Sequence, residues 1–391
     1  MIAAVVRAVP PLGWVVLLTA LMLTALGLVG VYVSEAAAGE SATQTMRQSG
    51  YLAVGLCGVL AIQIVGYKRI GGWAYPLFGL ILVLLVLLVI ARKIPMAPII
   101  PERRKTFRWI VLGPINIQVS EYAKIVFIIA LAAYLRFRTN YRTLRGLLWP
   151  FVLTLVPLGL ILKEPDLGTS LLLLPTLFVM LYAAGAKLRH LLLIGGMGLA
   201  AAPAFYLSPL MNPYQRDRIT SLFRQDDSDD RWRLAAGYQL NQSKIALGSG
   251  QALGRGLTEG AFFQHDLLPE EHNDFIFAVI GHQWGFIGCL AVILAYLVLV
   301  AAGLTIASMT ADPLGRLMAV GVCALILAQA TINIGMTIGI MPITGMTLPF
   351  VSMGGSALVA NYLCIGLLID VARRRPIEIA RKPFEFSEEA L

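Results

Sequence analysis

"DFIFAVIGHQWGFIGCLAVILAYLVLVAAG" runs from Asp274 to Gly303. After its first residue it carries no Asp, Glu, Lys or Arg. A run of about 20 apolar residues suffices to cross a bilayer's hydrocarbon core. Backbone groups in lipid must be satisfied within the segment, so the run predicts a membrane-spanning helix. Just before it stands "LLPEEHN", with Glu270, Glu271 and His272. A carboxylate at the mouth of a span is costly and marks a functional candidate by default. The bland alternative is that Asp274 only caps the helix.

The rest of the chain agrees with a membrane reading. Of 391 residues, 58% are hydrophobic and 14% charged, with mean hydropathy +0.77. A soluble domain cannot hide that much apolar surface. Similar runs occur at 12–33, 50–66, 72–91, 122–136, 145–162, 167–185, 189–208, 316–340 and 355–372. The expected fold is an all-α membrane protein of about ten spans, one polytopic domain over 1–391. The fourth run is short, and either tilts or begins earlier, near Ser120. The first is long enough for an anchor and does not read as a cleaved signal. Cys57, Cys289, Cys323 and Cys364 lie in apolar runs without metal-ligand spacing, and read as packing residues. The net charge of +9 has no basic soluble face to occupy, so nucleic-acid binding is excluded.

Lys and Arg in short loops set orientation. Lys68, Arg69, Arg136, Arg138, Arg142, Arg145, Lys187, Arg189 and Arg316 fall in alternate loops, and Arg373, Arg374 and Arg375 open the tail at 373–391. Both termini are therefore expected in the cytoplasm, with a large outer loop at 209–273. Arg103, Arg108, Arg216 and Arg218 then lie outside against the bias. They suit an anionic ligand or lipid headgroups. In the outer loop, the acids at 226–230 suit a solvated turn or a cation. "YQLNQSKIAL", with Gln239 and Ser243, suits a short helix on the surface.

Other polar groups sit beside spans. "SEYAK" places Glu121 and Lys124 three apart on one helix face, as a neutralising pair that could also line a cavity. "KEPDLGTS" puts Lys163, Glu164 and Asp166 between two spans, where Asp166 could cap the second. "MPITGMTLPFVSMGGSA", 341–357, is too rich in Pro and Gly for an unbroken helix. It predicts a re-entrant or broken segment before the last span, or a tight outer turn. Ser352 and Ser356 could offer hydroxyls to an anion there.

"SEYAK", "EPDLGTS", "NPYQRDRI", "YQLNQSKIALGSG", "LPEEHNDFIFAVIG", "NIGMTIGIMPITG" and "LPFVSMGGSA" occur in the order found in the SEDS family (shape, elongation, division and sporulation). The chain resembles that family over roughly residues 12–375. The resemblance implies a ten-span fold and a peptidoglycan glycosyltransferase that polymerises lipid II at the outer face of the bacterial cytoplasmic membrane, beside a class B penicillin-binding protein. Thr344 in "PITG" resembles the elongation branch, RodA, more than the division branch, FtsW. Asp274 matches the family's essential aspartate, Glu121 and Lys124 its paired acid and base, and Asp166 its "PDLG" aspartate. His282 and Gln283 depart from the family pattern, which has acids there.

The chemistry implied is transfer of a sugar from lipid pyrophosphate to an acceptor hydroxyl. The acceptor needs a base, for which Asp274 is the candidate, with Glu121, Lys124 and Asp166 in support. The pyrophosphate needs positive charge, from Arg103, Arg108, Arg216, Arg218 or Lys163. Gln239, Ser243, His272, Ser352 and Ser356 complete the expected substrate site. A divalent cation, Mg2+ or Mn2+, held by Asp274 is compatible with this chemistry, and no organic cofactor is expected. A lipid II flippase and a non-catalytic scaffold for a transpeptidase are the competing readings.

Overall fold

A computed structural model describes residues 9–37, 41–94, 99–102, 106–113, 115–208, 211, 213–223, 237–256 and 273–374. Its elements in chain order are α1 (Pro11–Ala37), α2 (Thr43–Val65), α3 (Tyr67–Gly72), α4 (Ala74–Ala91), β1 (Trp109–Leu112), β2 (Ile115–Gln118), α5 (Val119–Leu135), α6 (Leu148–Lys163), α7 (Leu167–Ala184), α8 (Leu188–Leu207), α9 (Pro213–Phe223), α10 (Tyr238–Ser249), α11 (Ile276–Ser308), α12 (Pro313–Ile338) and α13 (Gly355–Arg373). Among the described residues, nine helices are long and apolar enough to cross a membrane. The expected fourth span is α5, which starts at Val119 and has 17 residues. With it, each of the ten expected apolar runs holds a helix among the described residues, nine of them long enough to count as spans. α5 sits at the centre, with Phe127, Ile128, Leu131 and Ala132 all buried.

α13 lies along α2, and α12 along α7 and α11. α8 stands at the periphery, touching α7, with Leu191 its one buried residue. An all-α expectation omits the hairpin β1–β2, in which Trp109 pairs with Gln118 and Leu112 with Ile115. The aromatic and β-branched residues of "WIVLGPINIQ" favour it, with Gly113 at φ 62° in the turn. Where the sequence suggested a helix lying on the surface, α10 is tucked into the bundle. Leu240 and Ala246 are buried, and Ser243 Oγ donates to Thr337 O at 2.9 Å.

α11 runs for 33 residues, about 50 Å at helical rise and longer than one crossing needs. It is broken at Gly285, whose φ 63° and ψ −157° leave the helix. The stretch after α10 repairs the break. Arg255 N and Gly256 N donate to His282 O and Gln283 O, while Phe286 N and Ile287 N donate to Gln251 O and Ala252 O. Such a splice needs backbone contact at close range. A Cβ on Gly254 would lie 2.1 Å from Gln283 O, and one on Gly250 1.9 Å from Gly281 O.

Between α12 and α13 the chain is not helical, yet Ile343, Thr344, Met346, Leu348, Phe350, Val351 and Ser352 are buried. Irregular backbone inside a membrane bundle survives only where protein groups satisfy it. Gln48 of α2 donates to Ser352 O at 3.0 Å and accepts from Gly354 N at 3.2 Å. Gln329 and Asn333 of α12 donate to Thr347 O at 2.8 Å and Met346 O at 2.6 Å. The Tyr296 hydroxyl of α11 donates to Pro349 O, and Leu348 N donates to Ser352 Oγ at 2.7 Å.

Candidate functional site

One end of the bundle carries the turn between α6 and α7, the start of α5 and the start of α11. Pro165 interrupts the chain after α6, and Asp166 restarts it as the N-cap of α7, accepting from Thr169 N at 3.2 Å. Its other oxygen accepts from Ser120 Oγ at 3.0 Å and Gln118 Nε2 at 3.5 Å. The carboxyl, 5% exposed, thus joins the first turns of α5 and α7.

One residue past Ser120 begins the pair expected from "SEYAK". Lys124 Nζ lies 2.8 Å from Glu121 Oε2, and both side chains are buried. The ammonium also donates to Gln329 Oε1 at 3.1 Å, and Gln329 passes the connection on to Thr347. One helical turn further along α12, Asn333 Nδ2 donates to Asp274 O at 2.9 Å as well as to Met346 O. Asp274 is half-buried, just ahead of α11. A polar chain through Gln329 and Asn333 thus ties the Glu121–Lys124 pair, the irregular segment and Asp274 together.

Two glycines show how closely the remaining parts approach. A Cβ on Gly168, in the first turn of α7, would lie 2.2 Å from Met346 Cγ, and one on Gly345 would lie 2.8 Å from Arg218 Nη1. Gly345 has φ 71°. The turn capped by Asp166, the backbone at 345–346, Asp274 and the Arg218 guanidinium therefore share one neighbourhood.

Other expected site residues are placed differently. Arg108 donates from Nε to Glu164 O at 2.6 Å and from Nη2 to Pro165 O, at the end of α6. Arg216 donates to Ser208 O at 2.6 Å and Leu207 O at 3.3 Å, at the end of α8. Both arginines cap helix C-termini, where carbonyls lack partners and positive charge is favoured. Lys163 is exposed at the end of α6, and Gln239 half-buried on α10. Ser352 Oγ serves Leu348 N. Ser356 Oγ donates to Asn116 O at 2.7 Å and accepts from Gln118 N at 3.0 Å. Ser243, Ser352 and Ser356 thus hold backbone in place. His282 Nδ1 meets Ser249 Oγ at 2.5 Å, so this departure from the family pattern sits in the splice. Arg103, His272 and the acids at 226–230 lie outside the described residues.

Residues missed from sequence are the connectors Gln118, Ser120, Gln329 and Asn333. The amides at 329 and 333, four apart in an apolar run, were a legible signal, since polar groups inside a span bind other helices or line a site. No three His, Cys, Asp or Glu side chains among the described residues are grouped to hold a metal.

A family model described as a cell cycle protein, FtsW/RodA/SpoVE, matches residues 13–376. The Trichlorobacter lovleyi protein named "Probable peptidoglycan glycosyltransferase FtsW" is 34% identical over 369 residues, covering 92% of each chain. The Escherichia coli K12 protein named "Peptidoglycan glycosyltransferase MrdB" is 33% identical over 355 residues, covering 91% of this chain and 92% of that one. Among solved structures, a chain from a study of polymerisation and crosslinking by a peptidoglycan synthase complex superposes with a TM-score of 0.76 at 30% identity, over 92% of this chain and 97% of that one.

Proposed function

The chain belongs to the FtsW/RodA/SpoVE family of cell cycle proteins, and from that membership we infer that it is a membrane-embedded peptidoglycan glycosyltransferase. Its substrate is lipid II, polymerised into glycan strands at the outer face of the bacterial cytoplasmic membrane. Both termini then lie in the cytoplasm, and the end bearing Asp274 and Asp166 faces outward. Relatives named for FtsW and for MrdB match almost equally, at 34% and 33% identity. The lean towards elongation therefore rests on Thr344 alone. A class B penicillin-binding protein is the proposed partner, by analogy with the peptidoglycan synthase complex.

The observation that carries this reading is Asn333, whose one amide group holds Asp274 and Met346 together. It brings the Asp274 backbone to the segment at 345–346, against which the first turn of α7 and the Arg218 guanidinium also pack. In the proposed reaction Asp274 takes the proton of the acceptor hydroxyl. The hydroxyl oxygen bonds to the anomeric carbon from the face opposite the leaving group, inverting it. The bond to pyrophosphate breaks, and the electron pair leaves with the pyrophosphate. Arg218 offers forked donors to that anion. Glu121 and Lys124 form a neutral pair that holds α5 against α12. A divalent cation would neutralise pyrophosphate charge, with Asp274 the carboxylate assigned to it, and no step here depends on one.

Purified protein in lipid, given labelled lipid II, tests the reading. Glycan strands are expected. Leaflet transfer without strands would make it a flippase, and stimulation of a transpeptidase with neither would make it a scaffold.

A further inference from the structure

Buried carboxyls at helix ends differ sharply in their company. Glu35 accepts from Gln44 N, Thr45 N and Thr45 Oγ1, and Asp166 from Ser120, Gln118 and Thr169. Glu164 is equally buried, 4% exposed, yet neither of its carboxyl oxygens has a hydrogen-bond partner among the described residues. Arg108 holds the Glu164 backbone carbonyl, so the turn is fixed while the side chain is left unserved. A buried polar group without partners costs free energy, and in a native fold it calls for an explanation.

Burial, then the nearby charge of Asp166, push the Glu164 carboxyl up to about 9, and Arg108 pulls it only partly back. Lys163, its neighbour in sequence, is exposed, and the Glu121–Lys124 pair on α5 starts one residue past Ser120, which holds Asp166. Near neutral pH, Glu164 is an acid that keeps its proton and can donate it in a hydrogen bond. Asp166, two residues away, is already supplied with donors. Neighbouring carboxyls in such unlike settings characterise sites where one accepts and the other donates.

Resting on the glycosyltransferase reading, we propose that Glu164 is a further substrate-contacting residue, a neutral carboxylic acid whose O–H donates to the pyrophosphate oxygen released as the new glycosidic bond forms. The proton stays on Glu164. The electron pair of the broken bond stays on the pyrophosphate, and the acceptor's proton goes to Asp274. The donor meets charge that grows in the transition state, which is where a hydrogen bond accelerates reaction.

The test uses the full-length protein in lipid nanodiscs. Polymerisation of lipid II is followed from about pH 6 to pH 10 for the parent, Glu164→Gln and Glu164→Ala. The parent rate is expected to fall above about pH 9. Glu164→Gln keeps a weaker, non-titrating donor. It should run about tenfold slower at neutral pH without that alkaline fall, whereas Glu164→Ala should lose about 10²-fold throughout. In parallel, infrared spectroscopy should show a protonated carboxyl band at neutral pH that is missing from the Gln variant. A Gln variant with the parental alkaline fall, an Ala variant at the parental rate, or no such band would overturn the proposal. A parent that makes no glycan at any pH would instead overturn the glycosyltransferase reading on which it rests. Gln preserves the side-chain volume, so the comparison stands even if the Ala variant fails to fold.

Discussion

Lys124→Met is the most informative single change. The ammonium lies 2.8 Å from Glu121 Oε2 and 3.1 Å from Gln329 Oε1, and its side chain is 2% exposed. Met fills similar space but removes both contacts. Glu121 is left as an unpaired buried charge and Gln329 loses a donor. Breaking one side of a buried pair typically costs about 3–5 kcal/mol. Glu121→Gln should cost a similar amount, by leaving the ammonium uncompensated. The double variant carries no buried charge and should lose only about 1–2 kcal/mol, mostly through the orphaned Gln329 oxygen.

The cycle should therefore show a coupling of at least about 3 kcal/mol between the two positions. Thermal unfolding in lipid nanodiscs reads it out. At about 2 °C per kcal/mol for a large domain, each single variant should melt roughly 6–10 °C low, and the double should recover most of that. Single and double variants that lose stability additively would refute the paired, buried arrangement. Lipid II polymerisation by the same proteins separates packing from chemistry. A stable double variant that makes no glycan gives the pair a catalytic share, while a fully active one leaves it structural.

Other outcomes follow from the same geometry. Asp274→Asn keeps the shape and the backbone carbonyl that Asn333 holds, so it should fold as the parent does yet lose at least about 10²-fold in lipid II polymerisation; a near-parental rate would make Asp274 structural. Gly254→Ala drives a Cβ to 2.1 Å from Gln283 O and should open the splice at Gly285, seen as faster amide exchange at Phe286 and Ile287, whereas parental protection there would count against it. Glu164→Gln should flatten the pH dependence of stability. A carboxyl raised from 4.5 to about 9 favours the fold fully below pH 4.5 and loses that as pH rises towards 9, a difference of about 3 kcal/mol by pH 7. Equal melting profiles for parent and variant would refute the raised value. A cysteine at Ser228, which lies outside the described residues, should react with an impermeant label from the outer side in a background freed of native cysteines; labelling only from the cytoplasmic side would invert the orientation.

What the sequence made legible was the local chemistry. Runs of apolar residues are long-range in effect but local in cause, so the apolar helices could be read directly; of the two ways to lengthen the fourth run, the structure has the early start, at Val119. Asp166 as a cap and Glu121 with Lys124 as a pair depend on residues three positions apart, and both geometries appear. The arginines were harder, because charge alone does not reveal a partner. Arg108 and Arg216 answer carbonyls at helix ends 56 and 8 residues away, and no pattern in the chain announces those contacts. The hairpin at 109–118 escaped because a loop read for its charge was not read for its aromatic and β-branched residues.

The deepest gap was the segment at 341–354. Its prolines and glycines announced that a helix would fail there, but not what would replace the lost hydrogen bonds. Amides supply much of the replacement. Gln48 in α2 and Gln329 and Asn333 in α12 each turn inward to the same irregular backbone. An uncharged amide in a span is cheaper than a charge and easier to overlook. In this chain two of the three connect the candidate chemistry, Gln329 to Lys124 and Asn333 to Asp274. Asp274 is therefore held by a residue 59 positions away, and replacing that amide should disturb it as surely as replacing its neighbours. Asn333→Leu is expected to leave the bundle folded, to leave Asp274 O and Met346 O without their shared donor at about 1–3 kcal/mol, and to lower the polymerisation rate at saturating lipid II. A rise in KM with no fall in kcat would show that Asn333 shapes binding and leaves the aspartate's placement to other groups.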